Sequence, residues 1–159
     1  MNAIVSIKTA NALRAHRNAN SDGKELLENL IGKEVFQNQD IRDRIKSFED
    51  ARLELDAPDV PAFSDVPENR RAYYKALYRM NVITEALNEG WQPNWDNRNE
   101  YKWHPWFLMS PSGFAFGNAL CDDSYADAGS GSRLHYKTEA LAKYSATQFL
   151  DIWKVIQLG

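Results

Sequence analysis

The residues best suited to chemistry in this chain of 159 amino acids are three histidines and a single cysteine. His16, His104 and His135 lie far apart, and none stands in an H-E-x-x-H or similar ligand spacing. A zinc centre would have to gather its ligands from three unconnected segments, so the sequence predicts no metal and implies no cofactor. Cys121 is followed by Asp122 and Asp123 and can meet His135 across adjacent strands, which would assemble a thiol nucleophile, a base and an orienting carboxylate. A lone cysteine near a strand end is more often a small core hydrophobe, and the expectation is that the chain is not an enzyme. Gly129-Ser130-Gly131-Ser132-Arg133 invites comparison with phosphate-binding loops. It lacks the lysine of one such motif and the third glycine of the other, so it reads as a flexible turn whose Arg133 stands where the chain becomes ordered. Asp122, Asp123 and Asp127 lack the glycine and distal glutamate of a calcium loop.

Aromatic residues carry the other signal. Residues 90–107, GWQPNWDNRNEYKWHPWF, crowd rings and prolines among asparagines and charges. Two explanations stand side by side: a platform whose rings meet a partner, or the core of a small sheet built from large side chains. Trp, Tyr and Arg concentrate binding energy at interfaces, so Trp91, Trp95, Arg98, Lys102, Trp106 and Arg133 are the candidate partner-binding residues. Trp91 and Trp95 sit on a turn where Pro93 and the Asn/Asp cluster forbid regular structure, and a hydrophobic clasp joining helix to sheet is the alternative for them. In residues 101–107 alternation puts Tyr101, Trp103 and Pro105 on one face and Lys102, His104 and Trp106 on the other.

Bulk composition narrows the setting. Hydrophobic residues make up 43% and charged residues 26%, which is globular rather than disordered. A net charge of −3 disfavours a strongly basic nucleic-acid binder, because phosphate contacts need Lys and Arg in excess. One cysteine permits no intrachain disulfide, and no run approaches the ~20 apolar residues of a membrane span. A soluble protein, with cytoplasm as the default address, is expected.

The elements follow from period and punctuation. Residues 1–20 form an N-terminal arm or short helix, and 21–159 a single domain. Asp22 and Glu25 have the form of a capping box for a helix over about 22–31, with Leu26, Leu27, Leu30 and Ile31 as its stripe and Gly32 as its stop. Ile41, Ile45 and Phe48 recur at helical spacing, with a break or a new cap at Ser47. DAPDVPAFSDVP at 56–67 is a tethering loop. Asp65 and Glu68 suggest a cap for the long helix that runs to Asn88, and Arg70, Arg71, Lys75 and Arg79 give it a basic, solvated face. Then come a hairpin of strands 101–109 and 114–121 around a turn at 110–113, a loop at 122–132, a strand at 133–137 and a helix over 139–157 capped by Thr138. Pro105 confines its strand to an edge or a bulge. The class is α+β: N-terminal helices, then a small three-stranded antiparallel sheet in β-β-β-α order, packed against the long central helix and the C-terminal helix.

RIKSFEDA (44–51), YYKALYRMNVITEALNEGWQPNWDN (73–97), EYKWHPWF (100–107) and GSRLHYKTEALAKYSATQFLDIWK (131–154) resemble a recurrent family of uncharacterised proteins in phages and prophages of Bacteroidetes. Members of that family carry a GW-P-W turn, a Y-K-x-x-P-W-F strand, and a G-S-R-L strand running into an A-x-Y-A-x-x-Q-F helix, in the same order. The resemblance covers about 35–159 and implies a phage or prophage origin, with the host cytoplasm or the virion as the setting. It carries over no catalytic residue. His104 stands where those proteins have an aromatic, and His135 where small or aromatic residues are common. The expected function is a non-catalytic accessory protein that binds a phage or host protein or itself. The alternatives are a virion structural or packaged protein and single-stranded nucleic-acid binding through 91–106.

Overall fold

The computed structural model describes residues 7, 9–37, 40–110, 113–126 and 131–159. Most of the first eight residues of the expected arm, the middle of the turn expected at 110–113 and the stretch 127–130 of the expected glycine-serine loop lie outside these. Among the described residues, no helix is long and apolar enough to cross a membrane.

Helix α1 (Thr9–Asn18) packs Ala12 and Leu13 inward and is tied to the body by two arginines. Arg14 bonds Asp56 at 2.7 Å and Arg17 bonds Glu54 at 2.6 Å. Helix α2 (Ser21–Ile31) begins one residue earlier than the capping-box pattern suggests. Asn20 is its cap, accepting from the Gly23 amide, because an Asx side chain directly before the first turn reaches that amide better than Asp22 within it. Its leucine stripe is not core: Leu26 and Leu30 are exposed.

The break at Ser47 is present. Helix α3 (Ile41–Arg44) ends before it, and helix α4 (Phe48–Leu55) begins after it. The Ser47 hydroxyl accepts from the Asp50 amide at 3.2 Å and donates to the Asp50 carboxylate at 2.8 Å, a reciprocal cap. The loop at 56–67 is fastened to helix α5 (Glu68–Asn88) by Arg71, whose guanidinium donates to the carbonyls of Val66 and Ser64. Part of the basic face thus serves the loop. Asp65 does not cap α5, since Pro67 occupies the cap position and no side chain bonds there. Glu89, left-handed at φ 51°, and Gly90, at φ 84°, end the helix.

Strands β1 (Lys102–Ser110) and β2 (Gly113–Asp122) form an antiparallel ribbon. Its inner face presents Pro105, Phe107, Phe116 and Ala119 to helices α6 (Glu139–Gln148) and α7 (Leu150–Leu158), with Phe107 against Trp153 at 5.4 Å between ring centres. The expected division of 101–107 between two faces holds, with Pro105 on the core side. The Trp103 amide and carbonyl both bond Tyr136, so the backbone groups of alternate residues point away from β2. Pro105, two residues on, therefore has its missing amide hydrogen on the open side.

The three-stranded sheet is corrected to two strands and one bridge. Within 133–137, Tyr136 alone pairs with β1, at Trp103. Ser132–Leu134 is a tight 3₁₀ turn before it, and Thr138 caps α6 directly after it. The outer edge of this short segment is paired with a side chain instead of a strand. Asn88 Nδ2 donates to the His135 carbonyl at 2.7 Å, and the Lys137 amide donates to Asn88 Oδ1 at 3.0 Å. The C-terminal helix is likewise two helices, α6 and α7, meeting at Phe149 (φ −116°, ψ 32°). Beneath the sheet Tyr136, wholly buried, bonds Thr84 at 2.9 Å and Ser145 at 2.6 Å, and Ser145 also accepts from Trp153 Nε1 at 3.1 Å.

Candidate functional site

The helices cover one face of the ribbon; the aromatic turn and segment 131–137 cover the base of the other. Lys102 organises the turn. Its side chain is 0% exposed, and its ammonium donates to the carbonyls of Asn97 at 2.8 Å and Glu100 at 2.7 Å while lying 5.6 Å from the centre of the Trp95 ring. A charge that pinned by backbone oxygens serves the turn and has no solvent face to offer a phosphate. The edge of Trp95 meets the His135 ring at 5.2 Å, and His135 meets His104 at 5.4 Å. Lys102, Trp95, His135 and His104 thus form one continuous chain of cation–ring and edge-to-face contacts over the base of the outer face.

The two imidazoles of that chain converge on one carboxylate. His135 Nε2 lies 2.8 Å from Asp122 Oδ2, and His104 Nε2 lies 3.6 Å from the same oxygen. Register explains the meeting. The Tyr136–Trp103 bridge sets His135 beside His104, and His104 pairs with Leu120 in β2, two residues from Asp122 on the same face. His135 Nδ1 donates to the Gly131 carbonyl, and Gly131 holds φ 58°, a left-handed value that glycine adopts without a Cβ penalty. The sequence reading missed this cluster, which gathers its members from three separate segments. The signal available was the predicted hairpin together with the predicted strand at 133–137. Cys121 is not part of it: it pairs opposite Trp103, is exposed, and points to the other face of the ribbon from Asp122. The base and the carboxylate of the imagined thiol triad meet; the thiol does not.

Trp91 and Arg133 come together elsewhere. They line a cavity of about 300 Å³ with Asn81, Glu85, Asn88 and Gln92. Asn81 Oδ1 is buried without a hydrogen-bond partner among the described residues. A flat ring, a guanidinium, a carboxylate and amide groups suit a small hydroxyl-bearing group. Arg98 is exposed on the turn near Asp123, whose carboxyl is held below the usual range by the Ser124 amide first and by other backbone amides and Arg98 in smaller measure. Trp106 stands apart from all of these, halfway out of the outer face and 50% exposed.

Beyond the base the outer face is open. Trp106, Leu108 (56% exposed) and Leu120 (39% exposed) lie on it together. A Cβ built on Gly117 would fall 3.5 Å from Leu108 and 3.7 Å from Trp106, which places both side chains over the same backbone bulge. Comparison with protein-family models, curated proteins and solved structures returned no match.

Proposed function

We propose that this protein is a non-catalytic interaction module that holds a protein partner on the outer face of its hairpin. One observation carries the proposal: Trp106, Leu108 and Leu120 are neighbours on a sheet face that no helix among the described residues covers. A contiguous apolar patch on a sheet face is the kind of surface that marks a recognition site, and a tryptophan at its centre is the residue type most often responsible for binding energy. The setting is the one the family resemblance implies, a phage or prophage product acting in its bacterial host or packaged in the virion. Single-stranded nucleic acid gains less support, because Lys102 is spent on the turn and Trp95 is held between the Lys102 ammonium and the His135 ring.

The test is comparative capture from host lysate. Tagged wild-type protein is run beside a Trp106→Asp, Leu108→Asp double variant whose fold is checked by circular dichroism. A protein retained by the wild type and lost by the variant supports the proposal. Recovery of the same proteins by both, or of none by either, overturns it.

A further inference from the structure

We infer that His104, Asp122 and His135 form a three-ligand site for a transition-metal dication of the Zn²⁺ class, which clamps segment 131–137 to the hairpin. One donor atom from each residue lies within 4.8 Å of the other two. The hydrogen-bond roles make the case. A carbonyl can only accept, so His135 Nδ1 is the donor to Gly131, and in its neutral form the ring then presents a lone pair at Nε2. That lone pair faces an ionised carboxylate oxygen at 2.8 Å. Two acceptors at this distance need a positive species between them. A proton on the ring would join His135 to Asp122 alone and gives His104, 3.6 Å from the same oxygen, no share in the contact. A dication engages all three.

The geometry and the surroundings agree with a metal. Around tetrahedral Zn²⁺, with bonds of about 2.0–2.1 Å, neighbouring donor atoms stand ~3.3 Å apart, between the two distances observed. The Gly131 carbonyl supplies the outer hydrogen bond that fixes the tautomer and orientation of a ligating histidine. The edge of Trp95 and the His104 ring hold the His135 ring from two sides. Two imidazoles and one carboxylate select zinc-class ions over Mg²⁺ or Ca²⁺, which prefer oxygen alone. The Asp122 side chain is 16% exposed, and a three-ligand zinc-class site leaves its fourth position to water. Segment 131–137 has one backbone bridge to the sheet, and the metal supplies the second attachment.

Chelator-treated full-length protein is titrated with Zn²⁺ by calorimetry and with Co²⁺ by visible absorption. One equivalent of Zn²⁺ should bind at micromolar concentration or tighter, millimolar Mg²⁺ should give no heat, and Co²⁺ should show the d–d bands of a four-coordinate site. His104→Gln and Asp122→Asn should each weaken Zn²⁺ binding by about tenfold or more. Because either variant can unfold, the wild-type Co²⁺ spectrum decides independently of them. Absence of saturable Zn²⁺ binding, Co²⁺ bands that vanish in Cys121→Ser, or unchanged affinity in folded His104→Gln and Asp122→Asn would overturn the assignment.

Discussion

Replacing Asn88 by alanine should cost the protein roughly 2–6 kcal/mol, because one side chain stands in for a missing strand. Asn88 is 4% exposed, and its amide makes two bonds to backbone: Nδ2 to the His135 carbonyl at 2.7 Å and Oδ1 from the Lys137 amide at 3.0 Å. Truncation leaves a carbonyl and an amide facing the end of α5 with no strand beyond them, and each orphaned group costs about 1–3 kcal/mol. At a midpoint of ~4 kcal/mol the melting temperature of a chain this size falls by about 8–16 °C. Asn88→Asp separates bonding from packing. It keeps the size and the acceptor for Lys137 but sets a carboxylate oxygen against the His135 carbonyl, so it should be at least as damaging as alanine. Urea denaturation gives the free energies, and hydrogen exchange at the Lys137 amide gives the local effect. An Asn88→Ala protein within about 0.5 kcal/mol of wild type, or an Asn88→Asp protein as stable as wild type, would refute the reasoning.

Three other perturbations probe the supports of the site. Ser145→Ala removes the acceptor of Trp153 Nε1 and a partner of the Tyr136 hydroxyl in a dry core, and should lower stability by roughly 2–4 kcal/mol in urea titrations. Glu54→Ala leaves Arg44, 9% exposed, with Glu89 as its remaining carboxylate and frees Arg17 from α4; a loss of roughly 3 kcal/mol is expected in the same assay. Tyr144→Phe deletes the one hydroxyl hydrogen that the Arg42 and Ile45 carbonyls share, at 2.8 and 2.7 Å from the phenol oxygen, for about 1–2 kcal/mol at neutral pH. Burial, aided by Asp43 and Asp50, holds the Tyr144 hydroxyl above the ordinary phenol value. The folded state keeps that proton longer than the unfolded state, so the contribution is complete below pH ~10 and fades as pH rises beyond it. Denaturation at stepped alkaline pH should therefore show the gap between wild type and Tyr144→Phe narrowing.

What the sequence makes legible is what local rules govern. The run of Ala76, Met80, Ile83 and Leu87 at helical spacing is the buried stripe of α5, and Ser47 with Asp50 is a working cap. The hairpin follows from alternation, and Pro105 on an open edge follows from its missing donor. Failures occur where a distant side chain decides. The strand expected at 133–137 shrinks to one bridge because Asn88, read only as the end of a helix, takes its outer hydrogen bonds. Lys102 looks like a phosphate contact and is instead the buried fastener of the turn, since carbonyls of Asn97 and Glu100 fold back over it. The break at Phe149 has neither glycine nor proline to announce it.

The His104, Asp122 and His135 cluster depends on a feature subtler than any of these. From Ser110 opposite Gly113 to Phe107 opposite Phe116 the ribbon pairs in simple register; from Trp106 opposite Asn118 onward it is displaced by one residue, with Gly117 as the extra. Side chains alternate faces along a strand, so a one-residue slip exchanges the two faces of β2 relative to β1. In the unshifted register Asp122 would pair with Tyr101 and share its face, and Cys121 would pair with Lys102 and stand on the face of His104. The bulge reverses this, bringing the carboxylate to the histidines and turning the thiol away. Glycine suits the position because a Cβ there would approach the Trp106 carbonyl oxygen to 3.3 Å, closer than most side chains tolerate. A single residue without a side chain, thirteen positions from His104, thereby decides whether the outer face carries an N₂O donor set or a lone thiol.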